Sequence, residues 1–362
     1  MQDRSPSDAI KPEVRAASAY TLKHVAADIK LDQNENPYEL PQEFKEEVVR
    51  RVAARSWGRY PEFVPAAITH TLAQHTGWTE DGILVGNGSN ELLQATLLVT
   101  LGHGRTVVIP QPTFTLYKLQ SSILQANIVT IPLKAADLTF DVDGLVRAAE
   151  SADVVVICSP NNPTGGLMKQ EDLQRILDNA KGIVLVDEAY HEFSGQTALD
   201  LLKANPNLVI TRTFSKALSM AGLRFGYLMA HPEVAREIHK AKLPYNVNIF
   251  TLTAAQLAIE RVDLMTKSVQ TLISERQRMF NELRKRMGVR TFESCTNFFL
   301  IRTAKIASVL FEELYAQGVL VRDVSSYPML ERVLRVTVGT PEQNDRFLAA
   351  LDNALPKEVR RP

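Results

Sequence analysis

The sequence predicts an α/β protein in which a large domain, built on a mostly parallel sheet covered by helices, is joined to a smaller α+β domain. The first observation is a series of short runs rich in valine and isoleucine, which suit strands buried on both faces. These runs occupy residues 105–110, 153–160, 183–190 and 207–213. Amphipathic segments lie between them; in 169–179, for example, Leu173, Ile176 and Leu177 share one face at helical spacing. Alternating strands and helices indicate βαβ units and hence a parallel sheet.

A change of pattern after about Pro244 predicts the smaller domain. Long charged helices, notably over 251–287, are followed by three apolar runs that suit a second sheet: FFLIRT at 298–303, VLVRDV at 319–324 and LRVTVG at 334–339. A chain of 362 residues is long enough for two cores. We therefore expect an N-terminal arm and part of the small domain in 1–50, the large domain in 51–250 and the small C-terminal domain in 251–362.

The composition excludes several classes of protein. Hydrophobic residues make up 45% and charged residues 23% of the chain, which is ordinary for soluble globular proteins. The 41 basic residues balance the 41 acidic ones, so no long-range field attracts nucleic acid. No apolar stretch reaches the roughly 18 residues of a membrane span, and the start lacks the apolar core of a secretory signal. Two cysteines, Cys158 and Cys295, make no disulfide framework. We expect a cytoplasmic protein that binds neither nucleic acid nor membranes.

A lysine follows the last predicted strand of the large domain. Lys216 comes three residues after the run 207–213, at the sheet edge where α/β folds place ligands, with Ser215 and Arg224 nearby in the sequence. Taken alone, Lys216 is more readily explained as a solvated loop lysine, as most lysines are. Its neighbours favour a functional role.

Polar residues also follow the two preceding strands. Asp187 closes the apolar run 183–186, where an unpaired buried charge is costly, so we expect it to have a cationic partner. The segment SPNNPTGG at 159–166 suits a tight turn between strand and helix. A structural turn at 159–166 does not, however, explain why a second polar segment, VDEAY at 186–190, stands at the end of the next strand.

These segments, taken with GNGSNE at 86–91, resemble the class I and II aminotransferases, which have the type I pyridoxal-phosphate-dependent transferase fold. Within that family the likeness is greatest to the branch that acts on histidinol phosphate. It extends nearly from end to end, and so many segments in the same order are not expected by chance. The matching segments are NENPY at 34–38, RYP at 59–61, GNGSNE, PTFTLY at 112–117, SPNNPTG, VDEAY, TRTFSKA at 211–217, AGLRFGY at 221–227, PYNVN at 244–248, TNFFL at 296–300, VRD at 321–323 and LRVTVGT at 334–340.

The resemblance implies that pyridoxal 5′-phosphate is the cofactor and that Lys216 holds it as a Schiff base, then acts as the base that moves the substrate proton. Asp187 is similar to the family carboxylate that pairs with the pyridine nitrogen and raises its basicity. Asn162 and Tyr190 resemble the pair that hydrogen-bonds the phenolic oxygen. Phe114 is similar to the aromatic residue that stacks on the ring, although core packing explains it equally well. We expect no metal ion in the site.

The cofactor phosphate carries about two negative charges and needs several donors. The backbone amides of Ser89 and Asn90 begin a predicted helix and suit an anion, although an ordinary helix cap is the alternative. Ser215, Arg224 and Thr213 are the further expected donors. The family commonly has an acidic residue where this sequence has Asn90, but the backbone amide is available with either side chain.

Other residues are expected to hold the substrate. Arg335 resembles the arginine that binds the α-carboxylate with two parallel hydrogen bonds. Arg322 is similar to a second contact for a substrate anion, such as a phosphate; the alternative is a surface salt bridge with Asp323. Tyr20 and the segment 34–37, which includes Asn36, lie where the family's N-terminal arm folds over the substrate.

Tyr60 resembles the tyrosine that reaches the phosphate from the neighbouring subunit, so the family likeness implies a homodimer with shared active sites. The expected reaction is a ping-pong transfer in which glutamate, 2-oxoglutarate and histidinol phosphate take part. Alternatives are an aromatic amino-acid aminotransferase and a decarboxylase of a phosphorylated amino acid, because the cofactor serves either chemistry. A non-catalytic ligand-binding domain is the alternative from another class of protein.

Overall fold

The computed structural model describes residues 5–19, 21 and 26–355, with the side chain of residue 265 excepted. The strands in this part of the chain are β1 Ile29–Lys30, β2 Ile83–Gly86, β3 Thr106–Gln111, β4 Asn127–Pro132, β5 Val154–Cys158, β6 Ile183–Asp187, β7 Leu208–Thr213, β8 Gly226–Ala230, β9 Val289–Thr291, β10 Phe298–Thr303, β11 Val319–Leu320, β12 Arg322–Asp323 and β13 Val333–Thr337.

The α-helices of the described residues alternate with these strands over much of the chain. They are α1 Pro12–Ala16, α2 Gln42–Ala53, α3 Ala66–Thr76, α4 Ser89–Thr100, α5 Thr115–Ile123, α6 Val142–Ala149, α7 Gln170–Asn179, α8 His191–Ser194, α9 Leu199–Leu202, α10 Pro232–His239, α11 Ile249–Glu260, α12 Asp263–Arg284, α13 Ala307–Tyr315 and α14 Pro341–Ala354. Short 3₁₀ turns occur at Pro6–Ala9, Glu80–Gly82 and Ala221–Leu223.

The central element is a seven-stranded sheet with the strand order β2-β8-β7-β6-β5-β3-β4. Strand β8 runs antiparallel to β2 and β7, and the remaining neighbours are parallel. Every residue of β5 and β7 is buried, as their valine and isoleucine content predicts. The predicted α/β class with a mostly parallel sheet is confirmed.

Helices cover both faces of this sheet, and the side chains of one strand divide between two apolar clusters. Val184 and Val186 of β6 pack in a cluster with residues of α6, α7 and α11, whereas Leu185 points to the opposite face. There it packs among residues of α4, α5 and α10, including Tyr117. The period of two along a strand therefore fixes which side chains face α5.

A smaller antiparallel sheet has the order β12-β13-β10-β9 and packs with α12, α13 and α14. All three apolar runs predicted after residue 290 lie in it or in β11. The charged helices expected over 251–287 are α11, which ends at Glu260, and α12, which begins at Asp263. Arg261 separates them because it departs from helical backbone angles, with φ −125° and ψ 36°.

Contacts cross both predicted domain boundaries. Strand β1, in the predicted N-terminal arm, pairs in parallel with β11 of the C-terminal part, and α2 packs against α11. The boundaries at residues 50 and 250 therefore stay a prediction. Across the described part of the chain, the helices lack the combination of length and apolar character that a bilayer crossing requires.

Candidate active site

A cavity of about 250 Å³ lies where the carboxyl ends of β5, β6 and β7 meet the smaller sheet. This is the edge at which parallel sheets present loops and helix starts to a ligand. The predicted site residues that line it are Ser89, Asn90, Phe114, Asn162, Asp187, Tyr190, Thr213, Ser215, Lys216, Arg224, Arg322 and Arg335. Residues far apart in sequence are thus brought into one site.

One end of the cavity is formed by the start of α4. Helix α4 begins at Ser89, directly after Gly88, which has a φ of 84°. A Cβ at Gly88 would lie 2.4 Å from Nη2 of Arg224, and a Cβ at Gly226 would lie 2.3 Å from the backbone nitrogen of Ser89. The two glycines therefore leave room for the guanidinium and for β8 beside the helix start, where unpaired amides favour an anion.

Hydroxyl groups complete this end of the cavity. Nη1 of Arg224 donates to Oγ of Ser215 at 3.0 Å, and the Ser215 hydroxyl is 2.9 Å from Oγ1 of Thr213. Ser89, Thr213 and Ser215 are all buried. A cluster of donors with a positive charge, next to a helix start, is the chemistry that a phosphate group requires.

Asp187, the last residue of β6, is buried at the floor of the cavity with 4% of its surface exposed. Oδ2 accepts a hydrogen bond from the Tyr117 hydroxyl at 2.6 Å, and Oδ1 accepts one from the backbone nitrogen of Ala189 at 3.1 Å and one from Thr211 at 3.4 Å. Burial raises the pKa of this carboxyl, and the three donors oppose that rise.

The expected cationic partner of Asp187 is not found among the described residues, since no ion pair involves its carboxylate there. Three neutral donors take that place. A buried carboxylate that faces a cavity and has no cation beside it is suited to pair with a cationic ligand.

Lys216 also lines the cavity, from the loop after β7. Its Nζ donates to the backbone oxygen of Gln33 at 2.9 Å. Burial lowers the pKa of the Lys216 amine to about 8, and the positive charge of Arg335 adds to this shift, whereas Glu35 opposes it. An amine with a lowered pKa is a nucleophile near neutral pH.

Asn162 and Tyr190 are held by residues from other parts of the chain. Oδ1 of Asn162 accepts a hydrogen bond from Nη1 of Arg335 at 2.7 Å. The Tyr190 hydroxyl accepts one from Nδ2 of Asn34 at 2.9 Å, and burial raises the pKa of Tyr190 so that the hydroxyl stays protonated. Both side chains therefore keep a donor for a ligand oxygen.

Two arginines of the smaller sheet also line the cavity. Arg322 and Arg335 are direct partners across the antiparallel pair β12 and β13. Nη2 of Arg335 also donates to the backbone oxygen of Asp32 at 2.6 Å. The described residues give the Arg322 guanidinium no hydrogen bond or ion pair, and the Asp323 carboxylate instead accepts from the backbone nitrogen of Ser325 at 2.8 Å. The salt bridge considered for Arg322 and Asp323 is therefore absent from this part of the chain.

Two predicted residues, Asn36 and Tyr60, lie outside the cavity. Asn36 lies outside it, because its Nδ2 donates to the backbone oxygen of Ala217 and to Ser268. Tyr60 is 81% exposed and stacks on Tyr245, with ring centroids 4.6 Å apart. Tyr20 lies outside the described residues.

The expected segment 34–37 reaches the site through Asn34, which lines the cavity and is 1% exposed, and not through Asn36. Two lining tyrosines, Tyr117 and Tyr327, were missed. Tyr117 stands in the segment PTFTLY, which was noted, and its position one turn after Phe114 was the available signal. Nothing in the sequence near Tyr327 indicates its place.

Comparisons with known proteins agree with this geometry. The family model for aminotransferase class I and II matches residues 26–351. Histidinol-phosphate aminotransferase of Chlorobaculum tepidum is 43% identical over 328 residues, which cover 90% of this chain and 94% of that protein. The protein of the same name from Chlorobium phaeovibrioides is 41% identical over 346 residues, covering 94% of this chain and 96% of that protein.

Solved structures show the same fold. The crystal structure of histidinol-phosphate aminotransferase from Clostridium acetobutylicum superposes with a TM-score of 0.83 at 26% identity, covering 90% of this chain and 98% of that one. The enzyme from Sinorhizobium meliloti, in complex with pyridoxal 5′-phosphate, has a TM-score of 0.81 at 24% identity, covering 91% of both chains.

Proposed function

Because this chain belongs to the aminotransferase class I and II family, we propose that it is a histidinol-phosphate aminotransferase. It is a pyridoxal-phosphate-dependent enzyme that exchanges an amino group between histidinol phosphate and 2-oxoglutarate. The observation that carries the proposal is the charge of the cavity, which is lined by Arg224 beside the start of α4 and by Arg322 and Arg335 of the smaller sheet. Two separate anions can thus be held in one site.

The residues of the cavity fit the cofactor. Arg224, Ser215 and the start of α4 would hold its phosphate, Asp187 would pair with its ring nitrogen, and Lys216 would form the covalent bond to it. When bound, the cofactor supplies a sink for the electrons released from the substrate Cα–H bond. The buried Asp187 carboxylate, for which the described residues supply no cation, is the strongest sign that a positively charged ring belongs there.

The protein side of the reaction follows from the contacts. With the cofactor bound, Lys216 would be the base that takes the proton from the substrate α-carbon and carries it to the cofactor, as its lowered pKa allows near neutral pH. Asn162 and Tyr190 would donate to the phenolic oxygen, and each is fixed by a partner, Arg335 and Asn34 respectively. Their orientation is set before a substrate arrives.

The two arginines explain how one site serves two substrates. Glutamate presents an α-carboxylate, whereas histidinol phosphate has a phosphate ester at the equivalent end. Arg335 is held by Asn162 and by the backbone of Asp32, so it forms a fixed anion contact. Arg322, with no partner among the described residues, is free to meet whichever anion is present.

A half-reaction experiment tests this function. Histidinol phosphate, glutamate, phenylalanine and phosphothreonine are added separately to the enzyme with bound cofactor, and the change in the cofactor absorbance is followed. We expect histidinol phosphate and glutamate to convert the cofactor to its amine form, with 2-oxoglutarate released from glutamate. Faster conversion by phenylalanine would indicate an aromatic aminotransferase, and carbon dioxide from phosphothreonine would indicate a decarboxylase.

The same proposal includes a homodimer in the cytoplasm, with Tyr60 reaching the partner's cofactor phosphate. Its support is a group of large exposed side chains near Tyr60: Trp57 is 72% and Leu243 71% exposed, and Phe63 packs edge-on against Tyr245. Such a concentration of exposed apolar surface is typical of an interface. Light scattering would measure the mass in solution, and a monomer would contradict the assembly.

A further inference from the structure

Tyr117 is a buried lining residue of the cavity and touches the carboxylate that the cofactor is expected to meet. It lies in the first turn of α5 and is 1% exposed. Its hydroxyl donates to Oδ2 of Asp187 at 2.6 Å, which is short for hydrogen bonds between oxygens and typical of a donor to a charged acceptor.

The sheet geometry explains why a tyrosine from α5 reaches this carboxylate. Cys158 of β5 and Asp187 of β6 are register partners, so their side chains leave the sheet side by side. Cys158 packs in the same cluster as Tyr117, on the face of the sheet that α5 covers. The Cys158 thiol donates to the backbone oxygen of Pro160 at 3.3 Å, which leaves Tyr117 as the donor to Oδ2.

The charge state of this group follows from burial. Burial raises the pKa of Asp187, and the hydrogen bond from Tyr117 is the largest effect that opposes the rise. Burial also raises the pKa of Tyr117 far above neutral, so the hydroxyl keeps its proton and always donates. Removing that donor would favour the protonated carboxyl.

We propose that Tyr117 is a positioning residue that acts through Asp187, keeping the carboxylate ionised and directed at the ring nitrogen of the cofactor. When a carboxylate and a pyridine nitrogen compete for one proton, a donor to the carboxylate favours the charged pair. The proton then stays on the ring nitrogen, where it is needed. This inference rests on the proposed function, because the ring nitrogen is that of pyridoxal phosphate.

Tyr117→Phe removes the hydroxyl and keeps the ring that packs against Phe114 at a centroid distance of 5.5 Å. The cofactor dissociation constant is measured from pH 5 to 9 on wild type and variant. Binding should weaken at low pH, where the carboxylate becomes protonated, and we expect this acid limb to move up by about one pH unit in the variant. At pH values below the limb the variant should therefore bind the cofactor about tenfold more weakly than the wild type. At the alkaline end the two proteins should bind it nearly equally. A residue that only fills space would change the affinity equally at every pH.

Two further variants sharpen the test. Tyr227→Phe removes another buried tyrosine hydroxyl of the same sheet, one that accepts from Arg212 at 3.2 Å, and should leave the acid limb in place. In an Asp187→Asn background, Tyr117→Phe should change the affinity by less than about twofold, because its effect requires the carboxylate. If Tyr117→Phe weakened cofactor binding in Asp187→Asn by the same factor as in the wild type, the inference would be overturned.

The outcome also separates this inference from the proposed function. If the wild type binds the cofactor and converts it with glutamate, but the acid limb does not move in Tyr117→Phe, only the role of Tyr117 is lost. If the wild type never forms the amine form with any amino donor, the proposed function fails instead. Near-ultraviolet circular dichroism checks that each variant is folded.

Discussion

Arg335 and Asn162 are 173 positions apart in the sequence, yet Nη1 of Arg335 donates to Oδ1 of Asn162 at 2.7 Å. The first residue belongs to β13 of the smaller sheet, and the second lies in the turn after β5 of the larger one. This hydrogen bond joins the proposed carboxylate contact to the proposed partner of the phenolic oxygen. A change at either residue should therefore affect the other.

Arg335→Lys should lower kcat/KM for glutamate by about 100-fold. Lysine keeps the charge but cannot form two parallel hydrogen bonds, and it leaves Asn162 without its donor. Steady-state kinetics with glutamate as the amino donor measures the loss. Arg302→Lys is the matched control, because Arg302 bonds the backbone oxygen of Met329 outside the cavity, and its kcat/KM should stay within about twofold. Equal effects of the two substitutions would contradict the role of Arg335.

The rate at which the apoprotein attaches the cofactor covalently should depend on pH through Lys216. Its pKa is lowered to about 8, so roughly a tenth of the amine is neutral at pH 7. The rate should rise about tenfold per unit at low pH and become constant above about pH 8. Stopped-flow absorbance measures it, with Lys216→Ala as the control that attaches nothing.

Glu35→Gln provides an independent check on the direction in which neighbouring charges shift the Lys216 pKa. The Glu35 charge opposes the lowering of the Lys216 pKa, so its removal should move the midpoint to lower pH. A rate that keeps rising to pH 10, as for an exposed lysine, would show that Lys216 is not desolvated.

Much of the large domain could be predicted because its strands are buried on both faces. The runs that form β3, β5, β6 and β7 are rich in β-branched residues, a composition that favours strands. Because parallel strands present their carboxyl ends at one edge, motifs after successive strands must meet there, which places Asn162, Asp187 and Lys216 together.

Other features depend on contacts that no local pattern encodes. Strand β4 lies at the sheet edge, and none of its six residues is buried, so it has no long apolar run. Asn34 and Asn36 stand in the same segment, and only the pairing of Asn34 with Thr337 and Tyr190, more than 150 positions away, decides which one reaches the cavity. The contact between Tyr117 and Asp187 likewise joins residues that are far apart in the sequence, so no local pattern indicates it.

Glu188→Gln should destabilise the protein by about 3–5 kcal/mol, because it removes one partner of a buried ion pair. Glu188 and Arg212 are 2% and 5% exposed, and Nε of Arg212 donates to Oε2 of Glu188 at 2.9 Å. With glutamine the Arg212 charge has no compensating carboxylate in the interior. Urea unfolding of the apoprotein measures the change.

The control for that substitution is Glu237→Gln. Glu237 pairs with Lys240 at 2.6 Å on the surface, where both side chains are exposed. Its loss should cost no more than about 0.5 kcal/mol. Similar losses for Glu188 and Glu237 would mean that the buried pair contributes no more than a surface one.

Tyr60→Ala and Lys216→Ala should complement each other if active sites are shared between subunits. In a dimer with one subunit of each kind, the intact Tyr60 of one chain serves the intact Lys216 of the other, so one site is complete and the second carries both defects. Co-expression with two different affinity tags isolates such mixed dimers. We expect about half the wild-type activity per dimer at a cofactor concentration that leaves Tyr60→Ala mostly unloaded.

If Tyr60 acts within its own subunit, the mixed dimer contains only defective sites. Its activity would then be half that of the Tyr60→Ala dimer, since the Lys216→Ala subunit contributes nothing. The exposed position of Tyr60, outside the cavity of its own chain, favours sharing. Because the two outcomes differ in whether one wild-type site is regenerated, a comparison of the mixed dimer with the Tyr60→Ala parent at the same cofactor concentration decides between them.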